Sequence, residues 1–366
     1  MNEHEVAFII ATNHALYYDE CVKYISKLTV PEGYQVDIIC ISEANNMAEA
    51  YNLGMESSDA KYKVYMHQDV FILNQNFIGD LIGIFSTDTN VGLLGVIGGV
   101  ALPQNAIIWN AWNIGHTYVC NFKCAFPIEE YQDKNSSFLP AEAVDGMLMA
   151  TQYDIRWRED LNLGWDFYDV SQSLEFRRRG YKVGIPYQET PWCFHDCGFS
   201  NLTNYDNSRR NMLKEYPEFF SAPYVPYYDF KIWDMNVELF QYLKKLLNNG
   251  ELFTAFELIQ EISIDAVQNN NLINAYNILH IYFNEKTNSI STDNFFNDIH
   301  TWEQMILKYN EIKLLLMRLE ADIFDEEEKK EYVSILKNSN LSRIAIQEVM
   351  KHSIYDSEKV EQILYQ

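Results

Sequence analysis

Basic residues are scarce in this chain. Its 366 residues include 28 lysines and arginines against 52 aspartates and glutamates, so the formal net charge is -24. Such a chain repels nucleic acids and anionic membrane surfaces, and we expect neither as a main partner. An anionic small molecule would need a local source of positive charge, such as a bound cation.

We also expect neither a targeting segment nor a membrane-spanning one. Residues 1–5 are polar and acidic, without the basic start and apolar run of a secretory signal. The longest apolar stretch, residues 91–109, is interrupted at Pro103 and falls short of the roughly 18 uninterrupted residues that span a bilayer. We therefore expect a cytoplasmic chain with no transmembrane segment and with reduced thiols.

Cysteine is present in two equally spaced pairs, Cys120/Cys124 and Cys193/Cys197, and His195 lies inside the second pair. A structural zinc site is conceivable on this pattern. Zinc hairpins, however, usually separate their cysteines by two residues. Ordinary buried thiols are the favoured interpretation.

The familiar nucleotide motifs are absent. The sequence has no GxxxxGK[ST] and no GxSxG, and no GxGxxG follows its first apolar run. Residues 11–14, directly after that run, contain no glycine. These absences disfavour P-loop enzymes, dinucleotide-dependent dehydrogenases and sugar-phosphate nucleotidyltransferases.

In the first 200 residues, short apolar runs alternate with segments of helical spacing. The pattern predicts strands at residues 6–11, 36–41, 62–66 and 91–96, with helices ending near residue 28 and spanning 48–55 and 77–85. This alternation predicts an α/β fold with a mostly parallel sheet covered by helices on both faces. Ligands bind beyond the carboxyl ends of such strands, so polar residues there are the candidates for a site.

The amino-acid composition changes at residues 222–228, where two prolines and several aromatic residues predict a connector between domains. Beyond it, apolar residues repeat with helical period, first from Leu239 to Leu246 and again from Ile312 to Leu319. We expect an α/β domain at residues 1–225 and an all-helical domain at 226–366, built of stacked hairpins that could be tetratricopeptide-like. Three roles for the helical domain stay open: a stabilising cap, a homo-oligomer interface and recognition of a protein acceptor.

Three acidic residues follow predicted strands or begin helices. Asp69 follows the third strand, where a lone aspartate is most often a turn residue. Asp166 and Asp169 are predicted to project from one face of the first turn of a helix that closes at Gly180. The helix dipole alone favours acids there, but an ionised carboxylate can also accept a proton from an attacking hydroxyl.

His195 is predicted in a loop after a strand at residues 182–186, beside Asp196. An imidazole with a carboxylate suits a Mg²⁺ or Mn²⁺ ion shared with a diphosphate. The arginine run at residues 177–179 is interpreted as a solvated helix face rather than a phosphate clamp.

Four segments in order, residues 48–53, 66–72, 144–150 and 164–181, resemble family 2 glycosyltransferases of GT-A fold, and more narrowly the branch typified by the streptomycin-biosynthesis protein StrF. The resemblance covers about residues 6–204 and implies a nucleotide-diphospho-sugar transferase domain. The implied activity is inverting transfer from a nucleotide sugar, most commonly a UDP-sugar, with Mn²⁺ or Mg²⁺. The acceptor could be a glycan, a lipid-linked molecule or a protein.

The resemblance also implies roles for individual residues. The family's Asp-x-Asp appears here as His67-Gln68-Asp69, which implies metal ligation by Asp69, with His195 as the second ligand. The family's Glu-Asp pair appears as Tyr168-Asp169, which implies Asp169 as the catalytic base, with Asp166 as second choice. Further donor-site and acceptor-site roles are implied for Thr12, Asn13, Glu43, Asn52, His67, Asp145 and Trp165, with Asp145 facing the donor sugar and Trp165 the acceptor.

The incomplete acidic motif keeps a second hypothesis open. The chain could be a catalytically inactive nucleotide-sugar fold that acts as a binding or scaffold protein through its helical domain.

Overall fold

The computed structural model describes residues 1–108, 111–121, 124–196, 204–224 and 302–338, and residues 245, 362 and 364 singly. The chain divides into two compact units, residues 1–119 with 127–196 and 204–228, and residues 120–126 with 197–203 and 229–366. The predicted boundary between residues 225 and 226 and the helical repeat from Leu239 lie outside the described residues. The boundary therefore stays a prediction.

The strands, in chain order, are β1 (Asn2–Ala11), β2 (Gln35–Ile41), β3 (Ala60–His67), β4 (Val70–Ile72), β5 (Val91–Gly95), β6 (Ile97–Gly99), β7 (Leu102–Pro103), β8 (Ile114–Asn121), β9 (Cys124–Glu129), β10 (Phe138–Pro140), β11 (Ala143–Val144), β12 (Leu148–Thr151), β13 (Lys182–Pro186), β14 (Cys193–His195) and β15 (Phe220–Ala222). The helices are α1 (Ala15–Ile25), α2 (Met47–Glu56), α3 (Phe77–Thr87), α4 (Tyr168–Arg178), α5 (Tyr205–Glu215), α6 (Trp302–Glu320) and α7 (Glu326–Asn338), with a 3₁₀ turn at Glu159–Leu161.

The central sheet has the strand order β10-β13-β5-β12-β3-β1-β2. Strand β1 runs parallel to β2 and β3, and β13 runs parallel to β5. The predicted α/β fold is confirmed, although β12 lies antiparallel between β3 and β5. Ala11 is in register with both Ile41 and His67, so the residues that follow β1, β2 and β3 lie at one edge of the sheet.

A second sheet has the order β11-β6-β8-β14-β4. Strand β14 is antiparallel to β4, and His195 is opposite Val70. The prediction that His195 lies in a loop is therefore wrong. The buried apolar side chains of Phe71 and Phe194, which are opposite each other, favour a strand pair at this position.

The main core is rich in aromatic residues between the central sheet and helices α2 and α4. Tyr51, Tyr65, Trp157, Tyr168 and Phe176 are all buried in one cluster. Tyr51 contacts both Tyr65 and Trp157, with ring centroids 5.1 and 4.8 Å apart. The start of α4 is thus packed into the core, and its first residues are held firmly in place.

The start of helix α4 differs from the prediction. The helix begins at Tyr168, because Phe167 adopts a left-handed backbone with φ of 54°. Asp166 therefore lies in the preceding loop and does not share a helical turn with Asp169. The buried ring of Phe167 packs against Tyr205 at 4.7 Å, and this contact stabilises a backbone conformation that is otherwise costly.

In the second unit, Ile312, Leu316 and Leu319 of the predicted apolar repeat are buried in α6, while Leu315 is partly exposed. Helix α7 contacts it through Tyr332, whose ring lies 5.0 Å from the Arg318 guanidinium. A helical region at residues 302–338 is thus confirmed. Within the described residues, no helix has the length and apolar character required to cross a bilayer.

Candidate active site

A cavity of about 260 Å³ opens at the carboxyl edge of β1, β2 and β3. Its walls are mostly small or polar side chains, and no lysine or arginine of the described part of the chain lines it. The lining residues are Ala11, Thr12, Asn13, Ile41, Ser42, Ala44, Met47, Ala50, His67, Gln68, Asp69 and Trp165. Three predicted donor-site residues, Thr12, Asn13 and His67, therefore share this cavity with the predicted metal ligand Asp69, and the predicted acceptor-site residue Trp165 also lines it.

Two residues that line the cavity, His67 and Asp69, belong to a cluster of three possible metal ligands, and His195 is the third. One ligand atom each of His67, Asp69 and His195 lies within 4.8 Å of the others. His195 Nε2 is 3.4 Å from Asp69 Oδ1, and His67 Nδ1 is 4.0 Å from the same oxygen. The Asp196 amide donates to the backbone carbonyl of Asp69 at 2.9 Å, which fixes β14 against the turn before β4.

This donor set fits a divalent cation, since imidazole nitrogens and a carboxylate oxygen are ligands for first-row metals, including Mn²⁺. The cluster can therefore hold a metal ion. His67 is predicted from the sequence to contact the nucleotide, and it also lies with Asp69 and His195. His67 occupies the place of the first aspartate in the Asp-x-Asp pattern, and this position could have indicated a metal-ligand role from the sequence.

The protonation states of Asp69 and His67 suit metal binding, whereas His195 has to lose a proton first. Burial alone would raise the pKa of Asp69, but the imidazoles of His195 and His67 outweigh it and hold that pKa below its usual value. Burial lowers the pKa of His67, which favours the neutral ring. Burial also opposes the charge on His195, but the nearby Asp69 raises its pKa. A metal ion would displace that proton on binding.

Gln68 ties the first strand's loop to the metal-ligand motif. Its Oε1 accepts hydrogen bonds from Thr12 Oγ1 at 2.6 Å, Asn13 N at 3.0 Å and His14 N at 2.9 Å. The predicted nucleotide-pocket residues Thr12 and Asn13 are thus held by the middle residue of His-Gln-Asp. Sequence reasoning missed this role because it depends on a contact across more than fifty residues.

The turn at residues 145–147 joins the metal cluster to Asp169. The amide of Gly146 donates to Asp169 Oδ2 at 2.8 Å, and His67 N donates to the Met147 carbonyl at 3.1 Å. Asp145 Oδ1 accepts from the Met147 amide at 2.9 Å. Asp169, predicted as the base, is therefore linked through this turn to the end of β3, where His67 lies.

The two predicted base candidates have different surroundings. Burial, with a smaller contribution from Asp145, raises the pKa of Asp169 to about 7. Its oxygens accept from the amides of Gly146 and Val170, which fixes the carboxylate. Burial raises the pKa of Asp166 to about 6. A carboxylate that titrates near neutral pH can both take up and release a proton there.

Tyr168, where the family pattern has glutamate, contacts the metal cluster directly. Its hydroxyl forms a short hydrogen bond with His67 Nε2. The side chain is buried, and burial raises its pKa well above the usual value. The residue at this position therefore contributes a neutral hydroxyl instead of a carboxylate.

Two predicted donor-site residues lie elsewhere. Asn52 is buried and its amide binds the Trp157 backbone, donating at 3.0 Å and accepting at 2.9 Å, and it also donates to Glu159. Glu43 is exposed and does not line the cavity. Neither residue is brought to the cavity, because Asn52 faces the core and Glu43 faces solvent.

The structure gives the surroundings of two further predicted residues, Trp165 and Asp145. Trp165, predicted to face the acceptor, is 57% exposed and lines the same cavity as Thr12 and Asn13. Asp145 Oδ2 accepts from Trp112 Nε1 at 2.9 Å, and the carboxylate lies near Asp169.

Of the four cysteines in the two equally spaced pairs of the sequence, Cys193 is a buried free thiol, and its Sγ lies 3.4 Å from Thr117 Oγ1. Burial raises the pKa of its thiol to about 12, as for an ordinary core cysteine. The side chains of Cys120, Cys124 and Cys197 lie outside the described residues.

One family model and several solved structures are similar to this chain. The model of the "Glycosyltransferase like family" matches residues 7–216. A mannosyltransferase from Pyrobaculum calidifontis, in complex with GDP-Man and Mn²⁺, is 12% identical with a TM-score of 0.37, covering 62% of this chain and 66% of that one. A Drosophila β-1,4-galactosyltransferase 7, in complex with manganese, UDP-Gal and xylobiose, is 15% identical with a TM-score of 0.31, covering 51% and 67%. This chain thus spans just under two thirds of the mannosyltransferase.

No curated protein matches the chain. The family match, however, covers more than half of its residues. The chain belongs to the glycosyltransferase-like family.

Proposed function

We propose that this protein is a metal-dependent glycosyltransferase that moves a sugar from a nucleotide-diphosphate donor to an acceptor hydroxyl with inversion, as in the StrF-like branch. One observation carries the proposal. His67 and Asp69 line a cavity at the sheet edge and form a cluster with His195, and the turn next to His67 holds Asp169, whose pKa is raised to about 7.

Charge supports the assignment of the donor. A diphosphate entering this cavity would meet no lysine or arginine among the described lining residues. His67, Asp69 and His195 would hold Mn²⁺ or Mg²⁺, which supplies the positive charge that stabilises the leaving diphosphate. The neighbouring small and polar residues, Thr12, Asn13 and Ser42, would line the nucleoside part of the site.

Asp169 would act as the catalytic base. Its carboxylate takes the proton of the acceptor hydroxyl as the oxygen attacks the anomeric carbon from the face opposite the diphosphate. The amides of Gly146 and Val170 hold the carboxylate in one orientation, so little reorganisation is needed. Direct displacement of this kind inverts the configuration of the sugar.

The metal site is tested by calorimetric titration of the protein with UDP and with GDP, in Mn²⁺ and in EDTA. We expect nucleotide binding that requires Mn²⁺ and is lost in Asp69→Ala. Asp88→Ala is the matched control, since Asp88 pairs with Lys182 instead of lining the cavity. Equal affinity of wild type and Asp69→Ala in both buffers would remove Asp69 from the metal site.

The alternative is a catalytically inactive nucleotide-sugar-binding protein, and two departures from the family pattern, His67 and Tyr168, favour it. A panel of UDP-sugars and GDP-sugars with Mn²⁺ discriminates between the two functions. Slow donor hydrolysis that Asp169→Asn removes supports the enzyme. Donor binding without hydrolysis supports the binding protein.

A further inference from the structure

The buried Tyr168 and the partly exposed His67 form a hydrogen-bonded pair at the metal cluster. The Tyr168 hydroxyl is hydrogen-bonded to His67 Nε2, and the Tyr168 side chain is almost fully buried. Gly146 permits this arrangement, because a Cβ at that position would overlap the Tyr168 hydroxyl. The turn that binds Asp169 is therefore also shaped to admit this hydroxyl.

An imidazole has two nitrogens, and here they face different partners. Nε2 is occupied by Tyr168, while Nδ1 lies 4.0 Å from Asp69 Oδ1, on the side of the cluster. To bind a metal, Nδ1 must present its lone pair, so the ring proton must be on Nε2. The Tyr168 hydroxyl oxygen can accept that proton's hydrogen bond and so fix both tautomer and ring orientation.

We propose that Tyr168 is a positioning residue that holds His67 in the tautomer and orientation required of a metal ligand. This inference rests on the metal site of the proposed function. Tyr168 itself does not touch the metal or the sugar, and it acts through His67. It also places the start of helix α4, and with it Asp169, in fixed relation to the metal cluster.

A packing role for Tyr168 is the competing explanation, since its ring belongs to the aromatic core. Tyr51 offers a matched control for it. Its ring centroid lies 5.8 Å from that of Tyr168, and its side chain is also fully buried. Within the described residues, however, the Tyr51 hydroxyl has no hydrogen-bond partner. Tyr168→Phe and Tyr51→Phe each remove one oxygen atom from the core, but only Tyr168→Phe removes a hydrogen bond to His67.

The experiment is a double-mutant cycle on Mn²⁺ affinity, measured by electron paramagnetic resonance of free Mn²⁺ without any sugar donor. We expect Tyr168→Phe to weaken Mn²⁺ binding about 10–100-fold, as for other residues that orient a metal ligand. Tyr51→Phe should change it less than about threefold. In the His67→Ala background, adding Tyr168→Phe should cause almost no further loss, because the residue through which Tyr168 acts is gone.

Two outcomes would overturn the proposal. One is unchanged Mn²⁺ affinity in Tyr168→Phe, and the other is an equal loss with and without His67, which would indicate packing. In either case Mn²⁺ binding by the wild type leaves the proposed function standing. A wild type that binds no Mn²⁺, alone or with UDP or GDP, would overturn both.

Gly146→Ala provides a second variant. The added methyl group displaces the Tyr168 hydroxyl from His67 while it leaves every side chain of the pair present. We expect a loss of Mn²⁺ affinity similar to that in Tyr168→Phe, and little additional loss when the two are combined. Independent, additive losses would show that the methyl group acts by another route and would contradict the proposed contact.

Discussion

Both ends of helix α4 carry charged residues, but the surroundings of those residues differ. At the start, Asp169 is held by backbone amides, and burial with Asp145 raises its pKa to about 7. At the end, Arg177 pairs with Glu142, and Arg179 donates to Glu175 at 2.6 Å. The arginines have found partners within the fold, whereas the carboxylate at the start lies beside another acid.

The difference between the two ends distinguishes charged groups that stabilise the fold from charged groups that are candidates for chemistry. Arg178 donates to Glu218 and Glu215, and its guanidinium lies 4.2 Å from the Tyr216 ring. Such groups have little left to offer a phosphate, so the arginine run is better assigned to stability. The sequence predicts a solvated helix face, and the ion pairs with glutamates distant in the sequence are an addition to it. A buried carboxylate with a shifted pKa is instead a candidate for chemistry.

The largest effect is expected at the start of the helix. Asp169→Asn removes the proton acceptor and should lower sugar transfer about 10²–10⁴-fold, with Mn²⁺-dependent UDP or GDP affinity within about threefold of wild type. Asp166→Asn is the matched control, since Asp166 lies in the loop before the helix. If Asp169→Asn turns over normally and Asp166→Asn does not, the two carboxylates exchange roles.

The pH profile gives the next largest effect. The base must be ionised, so with Mn²⁺ and donor saturating we expect transfer to fall about tenfold per pH unit below the Asp169 pKa of about 7. Asp145→Asn removes the like charge that helps to raise this pKa, and the profile should move to lower pH. A midpoint that stays in place in Asp145→Asn would show that another group controls the rate.

Much of the α/β fold could be predicted because its signals are local. The runs that form β1, β2, β3 and β5 are apolar and short, and the spacing of α2 and α3 is helical. Strand ends then place Asp69 and Thr12 at the same edge by a general rule of parallel sheets. The strand that carries His195 was missed because it has three residues and pairs with the equally short β4.

The parts of the site that could not be predicted depend on contacts between distant segments. The left-handed backbone of Phe167 is stabilised by Tyr205, so the sequence near Asp166 alone suggests an earlier helix start. Asn52 resembles a donor-site residue by its motif, but a backbone segment more than a hundred residues later uses its amide. Motifs identify residue types, and packing decides which direction they face.

A smaller effect is expected on stability at Asp166. Burial raises its pKa from 3.8 to about 6, so the folded state disfavours the charged form. This group's contribution to stability is fully present below about pH 3.8 and is lost as the pH rises through about 6. Asp166→Asn should therefore raise the free energy of unfolding by about 1–2 kcal/mol at pH 8 and much less at pH 4. Urea unfolding at both pH values measures this, and equal gains at both would contradict it.

The smallest effect is expected at the other end of α4. Arg178→Ala removes exposed ion pairs, a 2.7 Å hydrogen bond to the Glu215 carbonyl and the contact with Tyr216. Because exposed pairs contribute little, we expect a loss of about 1 kcal/mol. Lys182→Ala, which breaks a single exposed pair with Asp88, should cost less. Affinity for UDP or GDP with Mn²⁺ should not change in either variant.

An arginine whose guanidinium is fully paired within the fold is not expected to contact the nucleotide. If Arg178→Ala weakened nucleotide binding more than about threefold, this end of the helix would also belong to the site.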